Sequence, residues 1–218
     1  MYCQLLIGLI WRDEVVTVAS VFATIVLRAI KFLKDHWKEL CSNIRSGEIS
    51  DWITDSGYRT ALSSIVKPNP QLADSIQNIC ICKSWEGIIQ KRWPKTNFIT
   101  AITTGAMSQY VETLKFYRGG LPLVSMFYAC SEDFCGINLE PLTGPSHVSY
   151  TFIPNMAYFE FLPVQDDTET EPVDLVHIKL DQYYELLVTS AAGLNRYKVG
   201  DVLKVTGFHS STPQFQFL

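Results

Sequence analysis

The chain has 218 residues, 47% of them hydrophobic and 18% charged, with a formal net charge of −4. This composition excludes a disordered chain and provides for one sizeable core or two small ones. The acidic balance and the absence of a basic stripe argue against a nucleic-acid partner.

Residues 1–93 read mostly as helices. Val15, Val18, Ala19, Phe22, Val26, Ala29, Ile30 and Leu33 recur at helical spacing, which predicts one long helix over residues 14–43, after a shorter one over 4–11. The uncharged stretch 15–27 falls short of the roughly 20 residues a membrane span needs. Nor does a positively charged leader open the chain, so no membrane partner is expected. A short helical piece is expected after Asp51. Pro68-Asn69-Pro70 marks the start of a further helix over 69–90.

Residues 94–145 alternate in character: strand 97–103, helix 108–118, strand 123–129. Two strands joined by a helix form a parallel crossover, and ligands gather at the carboxyl ends of such strands. Thr104-Gly105 and residues 128–132 fall at those ends. Residues 146–218 are β-rich, with short strands expected at 149–153, 157–163, 174–180, 183–189, 201–208 and 215–218. They predict an antiparallel sheet or distorted barrel. The acidic stretch 165–172 reads as a solvated loop. The fold class expected is α/β, with an α+β arrangement inside this chain.

Six cysteines are scattered without paired Cys-x-x-Cys modules, and the four histidines are isolated. Free thiols in a reducing, cytoplasmic compartment follow, with no histidine or cysteine metal site.

The chemistry concentrates in three segments. Tyr128-Ala129-Cys130-Ser131-Glu132 joins an aromatic ring, a hydroxyl and a carboxylate after an apolar run. Gly200-Asp201 places a carboxylate after a glycine at the mouth of a strand, and Thr103-Thr104-Gly105-Ala106-Met107 lies ahead of both. An aromatic face stacks on a base, a hydroxyl donates to phosphate, and a carboxylate holds Mg²⁺ or accepts from ribose hydroxyls. Each residue also has an ordinary structural use. Tyr128 serves as a core aromatic, Ser131 as a helix cap, Asp201 as a turn cap and Met107 as core filler.

With their flanks, these segments resemble the plant auxin-responsive acyl-acid amido synthetases (the Gretchen Hagen family), a branch of the adenylate-forming superfamily. The segments that carry the resemblance are Gly105-Ala106-Met107-Ser108-Gln109-Tyr110, residues 150–163 and residues 199–209. It extends over nearly the whole chain. It implies a ligase that uses ATP and Mg²⁺ to adenylate a carboxylic acid and then joins the acyl group to an amino acid.

Carried over position by position, the resemblance makes Glu132 the Mg²⁺-side carboxylate and Ser131 a donor to the α-phosphate. Thr104, Gly105, Ala106 and Met107 would border the adenine. Tyr128 would cover the base or border the acyl pocket, and Asp201 would accept from both ribose hydroxyls. Val21, Phe127, Ala129 and Phe134 would line an apolar acyl pocket suited to indole-3-acetic acid.

The chain departs from the family pattern at Cys130, where a serine is usual, and at Phe134-Cys135, where tyrosine-phenylalanine is usual. The resemblance also places a phosphate loop and an acyl-carboxylate arginine upstream, and a lysine-bearing carboxyl-terminal domain downstream. On this reading residues 1–218 are an incomplete large domain. The alternative is a truncated, non-catalytic remnant that binds nucleotide or auxin weakly.

Overall fold

A computed structural model describes residues 1–164 and 171–218. The loop expected at 165–172 therefore lies largely outside the described residues. Contacts divide them into two units, residues 1–101 with 109–123, and residues 102–108 with 124–218.

In the first unit, helix α1 (Tyr2–Ile10) is followed by strand β1 (Thr17–Phe22) and the long helix α2 (Ala23–Ser46). The single helix expected over 14–43 is thus corrected: its first third is a strand. Thr17, Val18 and Val21 are β-branched and lose χ1 freedom in a helix. The sheet order β1-β2-β3, with β2 at Phe98–Ile102 and β3 at Leu123–Val124, supplies β1 with a partner. The helical periodicity that remains is that of α2, which buries Val26, Ile30, Leu33, Leu40 and Ile44.

Helix α3 (Ser56–Ile65) begins four residues later than Asp51 suggested, because Asp55 is the cap, accepting from Tyr58 N at 2.8 Å. Helix α4 (Pro70–Cys80) starts at the expected Asn69, whose side chain accepts from Leu72 N at 3.0 Å with Pro70 in the first turn. It stops at Cys80, and the short helix α5 (Ile88–Arg92) replaces the expected continuation to residue 90. Helix α6 (Val111–Arg118) lies between β2 and β3 in sequence. Leu6, Leu9, Leu33, Leu40, Ile44, Leu62, Ile76 and Ile88 form the apolar interior.

The second unit carries an eight-stranded sheet among the described residues. Its order is β4 (Phe127–Ala129), β5 (Phe134–Ile137), β6 (Tyr150–Phe152), β11 (Thr212–Phe217), β10 (Tyr197–His209), β9 (Tyr183–Thr189), β7 (Tyr158–Pro163) and β8 (Val173–Asp174). The pairings β4–β5, β5–β6, β6–β11, β11–β10, β10–β9, β9–β7 and β7–β8 are antiparallel.

Two strand readings are corrected here. The run 123–129 is not one strand, since residues 127–129 join the antiparallel sheet through β5. The run 174–180 is a two-residue strand followed by a 3-10 turn at Leu175–His177. The core is aromatic: Phe161 and Phe215 stack at 5.3 Å, and Phe152 sets its edge against Phe159, Phe161 and Phe215.

Candidate nucleotide site

Tyr128, Ser131, Glu132, Asp201 and residues 104–107 all belong to the second unit. Tyr128 sits on β4, only 4% exposed, with its ring against the edges of Phe152 and Phe217. Its hydroxyl donates to Oδ2 of Asp201 at 2.9 Å. Burial pushes the Tyr128 phenol far up, and the charge of Asp201 adds to this. The aromatic ring is therefore a core element whose polar end reaches the site, and it offers no open face to a base.

Asp201 owes its position to a bulge. Lys198 pairs with Leu187 and Val202 with Glu185, so β10 carries two more residues there than β9. Gly200 lies inside the bulge at φ +87°, a conformation that side-chain-bearing residues rarely adopt. Burial raises the Asp201 carboxyl, the Tyr128 bond lowers it, and the charge of Glu132 raises it again. Glu132 and Asp201 are thus electrostatic neighbours. Among the described residues no group of three or more His, Cys, Asp or Glu side chains is gathered for a metal. Two hard carboxylates nonetheless suit Mg²⁺, which usually takes one or two carboxylates and fills its remaining positions with water and phosphate oxygens.

Ser131 is exposed and Glu132 half-buried, both in the turn joining β4 to β5. No helix begins there, so the capping use of Ser131 falls away. Cys130 N donates to Asp133 O at 3.0 Å and closes that turn. Its thiol approaches Cys135 at 3.8 Å between sulfurs. The Cys135 thiol hydrogen-bonds toward Cys130, which draws Cys130 below the usual thiol range and pushes Cys135 up.

Thr104 leads into a 3-10 turn at Gly105–Tyr110, where Gly105 takes φ +54° and Met107 N donates to Thr104 O at 3.1 Å. Ala106 is exposed and Met107 half-buried. Thr103, Thr104, Gly105 and Ser108 line a cavity of about 180 Å³ together with Ser146, Val148, Gln216 and Phe217.

Sequence reasoning missed part of this wall. The Tyr150 hydroxyl lies 3.1 Å from Thr104 Oγ1 and 2.7 Å from Ser125 Oγ, which also accepts from Thr103 N. Thr103 Oγ1 is buried beside the same cavity and has no hydrogen-bond partner among the described residues. The hydroxyl-rich run Thr103-Thr104 was the available signal. Arg196, just ahead of the Gly200-Asp201 segment, grips Glu160 through Nε at 2.9 Å and Nη2 at 2.7 Å. Glu160 is only 5% exposed and needs that partner.

The candidate acyl residues divide between the units. Phe127 and Phe134 face each other across β4 and β5 with ring centres 5.1 Å apart, and Phe127 is 40% exposed. Ala129 is exposed on the same strand as Phe127. Val21 belongs to the first unit. It lies on β1 and not on the helix expected there, and it lines an apolar cavity of about 540 Å³ with Leu5, Val18, Ile25 and Trp93.

Comparison with known proteins gives consistent matches. Residues 1–123 match the GH3 family N-terminal domain and residues 150–218 the GH3 family central domain. The chain is 52% identical to the indole-3-acetic acid-amido synthetase GH3.17 of Arabidopsis thaliana, with all of this chain and 39% of the relative aligned. It is 51% identical to the 4-substituted benzoates-glutamate ligase GH3.12 of the same plant, covering 38% of that protein. The solved structure of GH3.15 acyl acid amido synthetase superposes with a TM-score of 0.94 at 52% identity, over 99% of this chain and 39% of that one. The chain thus spans less than half the length of these relatives. With one family domain matched over residues 1–123 and a second over 150–218, the chain belongs to the GH3 family.

Proposed function

We propose that this chain supplies the nucleotide-binding and acid-facing part of a cytoplasmic, ATP-dependent acyl-acid amido synthetase acting on indole-3-acetic acid. One observation carries this reading. Tyr128, Glu132 and Asp201 converge across 73 residues of sequence, in a chain half identical throughout to amido synthetases.

In the proposed reaction the carboxylate of the acid attacks the α-phosphorus of ATP, and pyrophosphate leaves. The amine of an amino acid then attacks the acyl carbon, an amide bond forms, and AMP departs. Both reactants of the first step are anionic, so fixed donors and charge neutralisation govern the barrier. Exposed Ser131 donates to the α-phosphate. Asp201 accepts from the ribose hydroxyls, with Tyr128 as the positioning residue that holds its second oxygen. The Thr104–Met107 turn borders the adenine. Mg²⁺, when bound, neutralises the phosphates, and Glu132 is the carboxylate that would hold it.

The acid side rests on Phe127, Ala129 and Phe134 of the second unit, all apolar and suited to a flat aromatic ring. The relatives conjugate indole-3-acetic acid or substituted benzoates by name. An aromatic acid is their shared chemistry, and the paired rings of Phe127 and Phe134 favour the larger indole. The six cysteines are free thiols, which fits a reducing compartment.

The test is a graft. This chain replaces the matching region of the Arabidopsis GH3.17 synthetase, and amide formation is followed with ATP, acid and amino acid each varied. Conjugation dependent on indole-3-acetic acid supports the reading. A folded graft that binds ATP or acid without conjugating them supports the non-catalytic alternative.

A further inference from the structure

We propose that Cys130 and Cys135 form a peroxide-sensitive thiol pair, oxidised by hydroperoxides to a disulfide that closes the 130–135 turn. The two sulfurs lie 3.8 Å apart, and each approaches the same carbonyl, Asp133 O, at 3.5 and 3.8 Å. Phe134 pairs with Ala129 and Gly136 with Tyr128, so Cys135 is the extra residue of a bulge. The bulge turns the Cys135 side chain inward beside Cys130. A disulfide needs about 2.05 Å between sulfurs, so oxidation has to draw the two thiols together from 3.8 Å.

Access differs between the two sulfurs in the way stepwise oxidation requires. Cys130 is partly exposed and Cys135 fully buried. A hydroperoxide therefore reaches Cys130 first. The Cys130 sulfur takes one oxygen as the O–O bond breaks, giving a sulfenic acid and releasing an alcohol, or water from hydrogen peroxide. The Cys135 sulfur then attacks the sulfenic sulfur. An S–S bond forms, and the sulfenic hydroxyl leaves as water with the proton of the Cys135 thiol. The peroxide is reduced by two electrons and the two thiols lose two hydrogens.

The turn closed in this way carries Ser131 and Glu132, but the chemistry of the pair does not depend on the nucleotide reading. Cys82, exposed and donating to Asn78 O at 3.6 Å, is the internal comparison.

The test treats the whole chain with hydrogen peroxide, blocks remaining thiols with a maleimide and digests without reduction, cleaving after Glu132. The expected result is two peptides held together through Cys130 and Cys135 in most molecules, separating on reduction. In Cys135→Ser, a dimedone-trapped sulfenic acid is expected at Cys130. In Cys130→Ser, where the exposed member is removed, Cys135 is expected to stay unmodified. Free Cys130 and Cys135 in wild-type chain whose Cys82 has been oxidised would overturn the proposal. So would a Cys135 that oxidises equally fast in Cys130→Ser.

Discussion

The hydroxyl of Tyr128 and the carboxylate of Asp201 meet at 2.9 Å, joining the three-residue edge strand β4 of the large sheet to its longest strand, β10. Tyr128→Phe keeps the ring packing and deletes only the donor. It should lower the unfolding free energy by about 1.5–3 kcal/mol, the usual contribution of a hydrogen bond to a charged group. It should also move Asp201 titration upward, because the Tyr128 bond is what offsets burial there. Carboxyl titration followed by NMR is the check, and an unmoved midpoint would show that the bond does not form in solution.

Asp201 and Phe134 should separate the two substrates in the grafted synthetase. Asp201→Ala removes the proposed acceptor for two ribose hydroxyls, each bond worth roughly 1.5–3 kcal/mol. At least a tenfold rise in the KM for ATP is expected, with little change for the acid. Phe134→Ala should weaken indole-3-acetate more than ATP. Initial rates with each substrate varied decide between them. An unchanged ATP dependence in Asp201→Ala would leave Asp201 a turn cap.

Gly200 offers a cleaner backbone test. A Cβ added there meets nothing within 4 Å, so substitution is strained only by φ +87°. Gly200→Ala should cost about 1–2 kcal/mol, and Gly200→Asn less, because asparagine tolerates this region better. Urea unfolding of both variants measures the difference. Equal costs would mean that the bulge relaxes to an ordinary conformation.

Tyr2 sets a pH dependence at the other end of the chain. Its hydroxyl bonds Asn43 and Ser50, and burial pushes it from 10.0 up to about 12. The folded state holds this proton more tightly than the unfolded state. Its stabilising effect is therefore complete below pH 10 and is lost as pH rises through 12. The shift corresponds to on the order of 3 kcal/mol. Tyr2→Phe should lose stability less steeply between pH 10 and 12 than wild type. Parallel curves would refute the assignment.

Much of the candidate site was legible because its motifs are literal: Tyr128, Glu132, Asp201 and Thr104 were all singled out as candidates from the sequence. Their joining was not, since it depends on two extra residues in β10 that no hydrophobic period records. Strand β1 was hidden because Val18, Ala19 and Phe22 also fit the helical spacing that α2 continues, and only a strand partner breaks the tie. The apolar run 123–129 concealed a break at Ser125. The Ser125 side chain turns to Thr103 N and Tyr150 and leaves residues 127–129 to a second sheet. Polar side chains inside an apolar run carry that information, and periodicity ignores them.

Strand β11 is the highest-numbered strand yet it lies in the middle of the eight-stranded sheet, between β6 and β10. Its link to β6 consists of Gln214 opposite Thr151 and Phe215 opposite Tyr150. During synthesis the arms β4-β5-β6 and β10-β9-β7-β8 therefore have no shared ladder until residues 212–217 have left the ribosome. Until then each arm presents an unpaired strand edge, the kind of surface that recruits other chains. Joining of the two arms is thus timed by the emergence of residues 212–217.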